Sequence, residues 1–241
     1  MSAAGNINTS LSVIADSNRV ALSVDCVIFG YDESSLKILV RKCEMPPYQG
    51  RLSLVGDLVR SDEELDNAAT RILEERTGLD VQEVYLEQVA SFSRVDRHPL
   101  GRVITVAYYS LVNINEVELH QTSGPEKTFW VDVSRVDLMA FDHNEILDTC
   151  LRILRKRMRE EPIGFGLLPK KFTLKKLQSL YEVILEINFD KRNFRRKLKS
   201  LDLLVDLKEK ESGVAHRPAK LFSFNYEKYQ QLKSEKNPFE I

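Results

Sequence analysis

The stretch GDLVRSDEELDNAATRILEERTGL, residues 56–79, decides how the rest of the chain is read. Leu65, Ala68, Ala69, Ile72 and Leu73 recur at helical spacing. That spacing predicts a polar, acid-rich helix over 62–77 with one apolar face. Gly78 stops it, because glycine takes the left-handed backbone that ends a helix at little cost.

On both sides of this helix the period shortens to two. ALSVDCVIFGY (21–31) and SLKILVRKC (35–43) are rich in β-branched residues and separated by the turn-like DES. RLSLVGDLV (51–59) reads as one further strand. VYLEQVASF (84–92), VITVAYYSLV (103–112) and TFWVDV (128–133) supply three more. One helix inserted among strands predicts a mixed α/β sandwich, not a doubly wound parallel sheet.

FDHNEILDTCLRILRKRMREE (141–161) is a second helix, with Ile146, Cys150, Leu151 and Leu154 as its apolar stripe. PIGFGLLPKKF (162–172), rich in Pro and Gly, breaks it and marks a domain boundary. TLKKLQSLYEVIL (173–185) follows, with Thr173 as N-cap and a stripe of Leu174, Leu177, Tyr181 and Ile184. The short turn EINF leads to Asp190, another N-cap, and to the helix KRNFRRKLKSL (191–201). LLVDLKEK and AKLFSFN, joined by ESGVAHRP, form a hairpin. Helix, short turn, helix and two-stranded hairpin is the order of a winged helix-turn-helix. The fold class expected is therefore α+β: an N-terminal mixed α/β sandwich followed by a C-terminal winged helix.

On 191–201, Phe194, Leu198 and Leu201 are spaced i, i+4, i+7 and fall on one narrow stripe. Arg192, Arg195, Arg196 and Lys199 fall opposite. A helix anchored on one face and bearing guanidinium groups on the other suits a major groove. Arginine can bond guanine edges bidentately, and an asparagine can read adenine. Lys191, Arg192, Asn193, Arg195, Arg196 and Lys199, with Arg217 at the hairpin tip, are the candidate DNA contacts. Charge runs are more often only solvated faces, but the balance along the chain favours a polyanion. Residues 160–241 hold 17 Lys+Arg against 12 Asp+Glu, and residues 1–159 hold 18 against 24.

The 241 residues, 43% hydrophobic and 29% charged, fit a soluble chain of one large domain or two modest ones. There is no run of about 18 apolar residues, so no membrane span is expected. The N-terminus carries no secretory pattern and reads as a flexible tail over 1–20. Cys26, Cys43 and Cys150 lie far apart, without CxxC spacing. They read as small apolar residues in a reducing cytoplasm, not as a zinc or disulfide set.

Residues 56–79 resemble a Nudix box, whose consensus is GX5EX7REUXEEXGU with U a bulky aliphatic residue. With Gly78 on the terminal glycine, Glu63 falls on the first glutamate, Arg71 on the arginine and Leu73 on the aliphatic position. Asp57 stands where the opening glycine belongs, Ile72 where the glutamate after the arginine belongs, and Arg76 where the second acid of the final pair belongs. Glu75 matches the first acid of that pair. Positions 72, 75 and 76 share a helix face. A Nudix hydrolase uses carboxylates on that face to hold Mg²⁺ or Mn²⁺, which require oxygen ligands. The resemblance thus implies no catalytic residues, no metal and no cofactor, unless Glu74, Glu63 or Asp57 rebuilds the site elsewhere.

The chain from Ala21 onward resembles the NrtR-like group of Nudix-related transcriptional regulators. The likeness is carried by RVDRHPLGRVITVAYYSLV (94–112), EPIGFGLLPKKFTLKKLQSLYEVI (161–184) and DKRNFRRKL (190–198). The resemblance implies a homodimeric, ligand-responsive regulator of double-stranded DNA whose Nudix domain senses a metabolite. In the family that effector is ADP-ribose, or a pentose in a sugar-utilisation branch. Arg41, Arg51, Glu75, Asp96, Arg97 and Arg102 are the candidate effector contacts. Arginines suit a pyrophosphate, whereas Tyr108, Phe92 or Trp130 would suit a neutral sugar. The DRHPLGR loop leans the reading toward a sugar. The expected organisation is a sensor over 21–140, a linking helix over 141–160 and a DNA-binding domain over 161–241, cytoplasmic and acting on a palindromic operator. Two alternatives stay open: a Nudix hydrolase of ADP-ribose or another nucleoside diphosphate derivative, and a protein-interaction module.

Overall fold

The computed structural model describes residues 20–78, 85–115, 127–215 and 217–234. The expected N-terminal tail, apart from Val20, lies outside them. β1 (Ala21–Tyr31) is the spine of a seven-stranded sheet. It pairs in parallel with β6 (Val103–Asn113) along its whole length, from Ala21 opposite Val103 to Tyr31 opposite Asn113. On its other side β1 divides its partners. Phe29–Tyr31 pair with β2 (Leu36–Lys42), and Ser23–Cys26 pair with β4 (Val55–Leu58). β2 in turn holds the short β3 (Leu52–Ser53) and β7 (Phe129–Asp132), and β5 (Tyr85–Phe92) forms the far edge beside β6.

Alternation along these strands sorts the core into two layers. Val24, Cys26 and Ile28 of β1, with Val106 and Tyr108 of β6, face α1 (Leu65–Thr77) through its Ala68, Ala69, Ile72 and Leu73. Val27, Phe29 and Tyr31, with Ala107, Tyr109 and Leu111, face α2 (His143–Glu160) through Ile146, Cys150, Leu154 and Met158. Each large apolar side chain buried this way contributes roughly 1.5–3 kcal/mol. All three cysteines are buried free thiols.

The second layer continues into the C-terminal domain. α3 (Leu174–Leu185) and α4 (Lys191–Leu201) bring Leu177, Tyr181, Ile184, Phe194 and Leu198 into the same core. β8 (Leu204–Lys210) and β9 (Lys220–Phe224) form the antiparallel wing, tied to the domain entrance by a Phe172–Phe222 bridge. The sensor grips α3 through Tyr31 Oη, which donates to Ser179 Oγ at 3.2 Å, and through a 2.7 Å Lys176–Glu33 pair.

Four local expectations are corrected. Residues 51–59 form two strands, because Leu54 gives its N–H to the His143 ring instead of a neighbouring strand. The box helix begins at Leu65, because the Glu63 side chain bonds the Arg60 N–H and holds that segment in a loop. The Pro/Gly-rich boundary contains a 3-10 turn, Ile163–Leu167. An additional helix, α5 (Tyr226–Ser234), follows the wing; its mixed tyrosines, lysines and glutamines give little periodic signal.

Candidate effector pocket and nucleic-acid interface

A cavity of about 1050 Å³ opens where the first half of β1, β4, the 93–102 loop and the start of α2 converge. Gly56 makes this convergence possible. A Cβ there would lie 1.9 Å from Asp25 Oδ1 and 2.8 Å from the Val24 carbonyl. Its absence lets the Asp25 carboxylate rest against the β4 backbone.

The cavity wall carries an unusual density of buried polar groups: Asp25, Ser53, Arg97, Thr105 and His143. Arg97 is 4% exposed. It grips Asp142 bidentately, Nε to Oδ2 at 2.8 Å and Nη2 to Oδ1 at 2.6 Å, and donates a third bond to Thr105. Thr105 shares a 2.5 Å hydroxyl–hydroxyl bond with Ser23. His143 accepts the Leu54 N–H at Nδ1, 3.0 Å, so the neutral ring carries its proton on Nε2, which faces Asp25 at 3.8 Å. Burial holds the His143 imidazole below the usual histidine range, although Asp25 and Asp142 pull the other way. His98 lies flat on Phe141, with centroids 5.0 Å apart, and burial beside Arg97 lowers its pKa too.

Of the six residues assigned to the effector from sequence, Arg41, Arg97 and Arg102 line this cavity. Arg51, Glu75 and Asp96 are not among its lining residues. Arg51 lies over the Tyr48 ring, and Asp96 points outward beside Arg94. The aromatic candidates also fall elsewhere: Tyr108 is buried with its hydroxyl on Asp66, and Trp130 packs against the α1-side core. Asp25, His98, Phe141 and His143 were missed because nothing in their local sequence marks them; the sheet register gathers them.

Beside the cavity, α1 carries a network of opposite charges. Arg71 bonds Glu63 at 2.9 and 2.5 Å, the Leu58 carbonyl at 3.1 Å and Glu75 at 3.3 Å. Arg60 reaches Glu75 from the other side at 3.2 Å. The Arg71 guanidinium holds the Glu63 carboxyl down at about 2. Ile72 is fully buried in the core. Arg76 bonds Asp57, which lines the cavity, at 2.5 Å. Burial alone would raise the Asp57 pKa, but this guanidinium keeps it below the usual carboxylate range. Among the described residues no group of three or more His, Cys, Asp or Glu side chains is placed to hold a metal ion.

In the C-terminal domain the expected face is present. Thr173 Oγ1 accepts the Lys176 N–H at 3.2 Å and Asp190 Oδ1 accepts the Asn193 N–H at 2.8 Å, so both helices have the caps read from sequence. Between them Glu182 accepts the Phe189 N–H at 3.0 Å and Gln178 donates to the Phe189 carbonyl at 3.1 Å, fixing the turn. Phe194 is buried among Tyr181 and Phe189. Lys191, Arg192, Asn193, Arg195, Arg196 and Lys199 are exposed, as is Arg217 near the wing tip. No helix among the described residues is long and apolar enough to cross a membrane.

Fold and site together define a Nudix-type domain joined to a winged-helix DNA-binding domain, the class of Nudix-related transcriptional regulators. The chain matches the NUDIX domain over residues 20–150 and the NrtR DNA-binding winged helix domain over residues 164–224. It belongs to the NrtR family. It is 34% identical over 213 residues to the ADPR responsive transcriptional repressor NtrR of Acinetobacter baylyi, covering 86% of this chain and 83% of that protein. The crystal structure of Shewanella oneidensis NrtR complexed with a 27mer DNA superposes with a TM-score of 0.74 at 27% identity, covering 87% of this chain and 95% of that one. The first domain is also 30% identical over 132 residues to the ADP-ribose pyrophosphatase of Methanocaldococcus jannaschii, covering 55% of this chain and 73% of that protein.

Proposed function

We propose that this chain is an ADP-ribose-responsive transcriptional regulator that binds its effector without a metal and does not hydrolyse it. The observation that carries this reading is the composition of the cavity wall. Three guanidinium groups, Arg41, Arg97 and Arg102, stand there against two carboxylates, Asp25 and Asp57. Arginine pairs bidentately with phosphate oxygens, so a diphosphate suits this wall better than the neutral sugar toward which the loop sequence leaned. The name of the Acinetobacter baylyi relative supports the same effector. Arg76 supports metal independence, because a divalent ion at the box would meet a guanidinium already bound to Asp57.

In this reading residues 21–140 sense the effector, 141–160 link, and 161–241 bind DNA. The protein acts in the cytoplasm as a homodimer on a palindromic operator, one recognition helix per half-site. Lys191, Arg192, Asn193, Arg195, Arg196, Lys199 and Arg217 contact the DNA, with arginines reading bases and lysines holding phosphates.

A thermal-shift and calorimetric comparison of ADP-ribose, arabinose and a hexose, each with Mg²⁺ and with EDTA, tests the effector. ADP-ribose should raise the midpoint equally in both buffers. A response to the pentose alone would reverse the choice. The competing hydrolase reading draws on the Methanocaldococcus jannaschii relative and on the surviving Glu63 and Glu75. Substantial Mg²⁺-dependent turnover of ADP-ribose, abolished by Glu75→Gln, would establish it.

A further inference from the structure

α2 joins the effector cavity to the DNA-binding domain as one rigid element. Its 18 residues span about 27 Å at 1.5 Å per residue. At its start, two consecutive loop residues hold two consecutive helix-entry residues: Arg97 grips Asp142, and His98 stacks on Phe141. At its far end Arg157 bonds Glu87 of β5 at 2.5 Å, and Arg155 bonds the Ile184 carbonyl at 2.8 Å and Glu186 at 2.5 Å, at the end of α3. Arg157 also bonds Glu161, which Tyr229 of α5 reaches at 3.4 Å. A second cavity, about 800 Å³, lies at this joint between β5, the 3-10 turn and α5.

The start of α2 breaks a local rule. Asp142 occupies the N-cap position, where an aspartate ordinarily accepts N–H groups of the first turn. Its carboxylate caps nothing and is committed to Arg97. Phe141 before it is held at φ 53°, a left-handed conformation that costs a non-glycine residue energy. Such violations mark places where a structure keeps a second arrangement within reach.

We propose, resting on the effector reading above, that Arg97 and Asp142 form a latch through which the effector acts on DNA affinity. A diphosphate oxygen of the effector takes the Arg97 guanidinium from Asp142. The His143 and Glu145 N–H groups are already held by the Ala140 and Asp142 carbonyls, so the released carboxylate turns to the Asn144 N–H in the first turn of α2 and caps it, which also suits the positive end of the helix dipole. The helix re-seats, and the shift is delivered to the winged helix through Arg155 and Arg157. Asp142 thus exchanges one partner for another, so the element has two discrete states that ligand and DNA can each bias.

The test uses the full-length protein, ADP-ribose and a DNA fragment from the upstream region of its own operon. The quantity read is the ratio of DNA affinities with and without ADP-ribose. Asp142→Asn weakens the latch while leaving Arg97 for the ligand. It should tighten ADP-ribose binding about fivefold or more and shrink the ratio toward one. Glu87→Gln, at the far end of the helix, should shrink the ratio while leaving ADP-ribose affinity unchanged within about twofold. If Asp142→Asn does not fold, Glu87→Gln decides. A wild type that binds ADP-ribose and changes DNA affinity, with folded variants that keep the full wild-type ratio, overturns the latch alone. A wild type that does not bind ADP-ribose overturns the effector reading and the latch with it.

Discussion

Arg76 bonds Asp57 at 2.5 Å across the first and last thirds of the box, and each replaces a residue that the box consensus places there. The two departures are therefore coupled. An aspartate at the opening position beside an acid at 76 would set two carboxylates together, and the guanidinium neutralises that arrangement. Arg76→Glu should recreate the repulsion. It is expected to lower stability by about 0.5–1 kcal/mol, the range for a partly exposed pair, and to make stability respond to Mg²⁺. Denaturant unfolding with and without Mg²⁺ measures both effects; a wild type that Mg²⁺ stabilises as strongly would remove the argument for a metal-independent site.

His143 should make stability depend on pH in a stated direction. Its folded-state pKa lies below the ordinary value near 6.5, because burial disfavours the charged ring despite Asp25 and Asp142 nearby, with Arg97 and Arg41 adding repulsion. In the window just below pH 6.5 the unfolded chain binds the proton more readily than the native one. Stability is therefore whole above that pH and falls as the pH drops toward the folded value. His143→Gln should reduce the dependence just below pH 6.5, leaving the part that His98 contributes. Unfolding midpoints of both proteins across that range decide it, and parallel curves would show that another group titrates there.

Gly56→Ala tests the cavity floor. The added methyl would overlap Asp25 Oδ1, so the aspartate must move and His143 loses its facing carboxylate. ADP-ribose affinity should fall about tenfold or more while the far-UV spectrum stays native. Undiminished affinity in calorimetry would place the ligand elsewhere.

The two faces of α4 should separate cleanly. Arg195→Ala or Arg196→Ala is expected to weaken specific DNA binding by about 1–3 kcal/mol without changing the unfolding midpoint. Phe194→Ala, which empties a site 3% exposed between Tyr181 and Phe189, should cost about 3–5 kcal/mol of stability. Gel-shift titration at two salt concentrations, beside thermal melts, distinguishes the two. Unchanged DNA affinity in both arginine variants would displace this helix from the interface.

Much of the fold was legible because its signals are local. The strand reading of 21–31 holds, and in the sheet its alternation puts Val24, Cys26 and Ile28 on one layer and Val27, Phe29 and Tyr31 on the other. Gly78, Thr173 and Asp190 carry their capping roles within three or four residues of themselves. α5 escaped because its residues lack a clear apolar period. Half the proposed effector set missed the cavity for a different reason. An arginine's type announces that it can pair with a phosphate, but not which way it faces. Arg51 and Arg97 look equivalent in sequence; one lies over Tyr48 and the other is sealed against Asp142.

By itself the sequence determined most of the order of elements, the two-domain plan, the altered box and the basic face of α4, because each is written in residue spacings within one continuous stretch of chain. Only the tertiary structure decided the pocket. The parallel pairing of β1 with β6 joins residues 82 positions apart, and the fold brings Asp25, Arg97, Asp142 and His143 from three separate segments into one buried polar wall. Contacts of that range come from sheet register and helix docking, which join segments far apart in the chain, whereas a local pattern fixes only which face each residue takes.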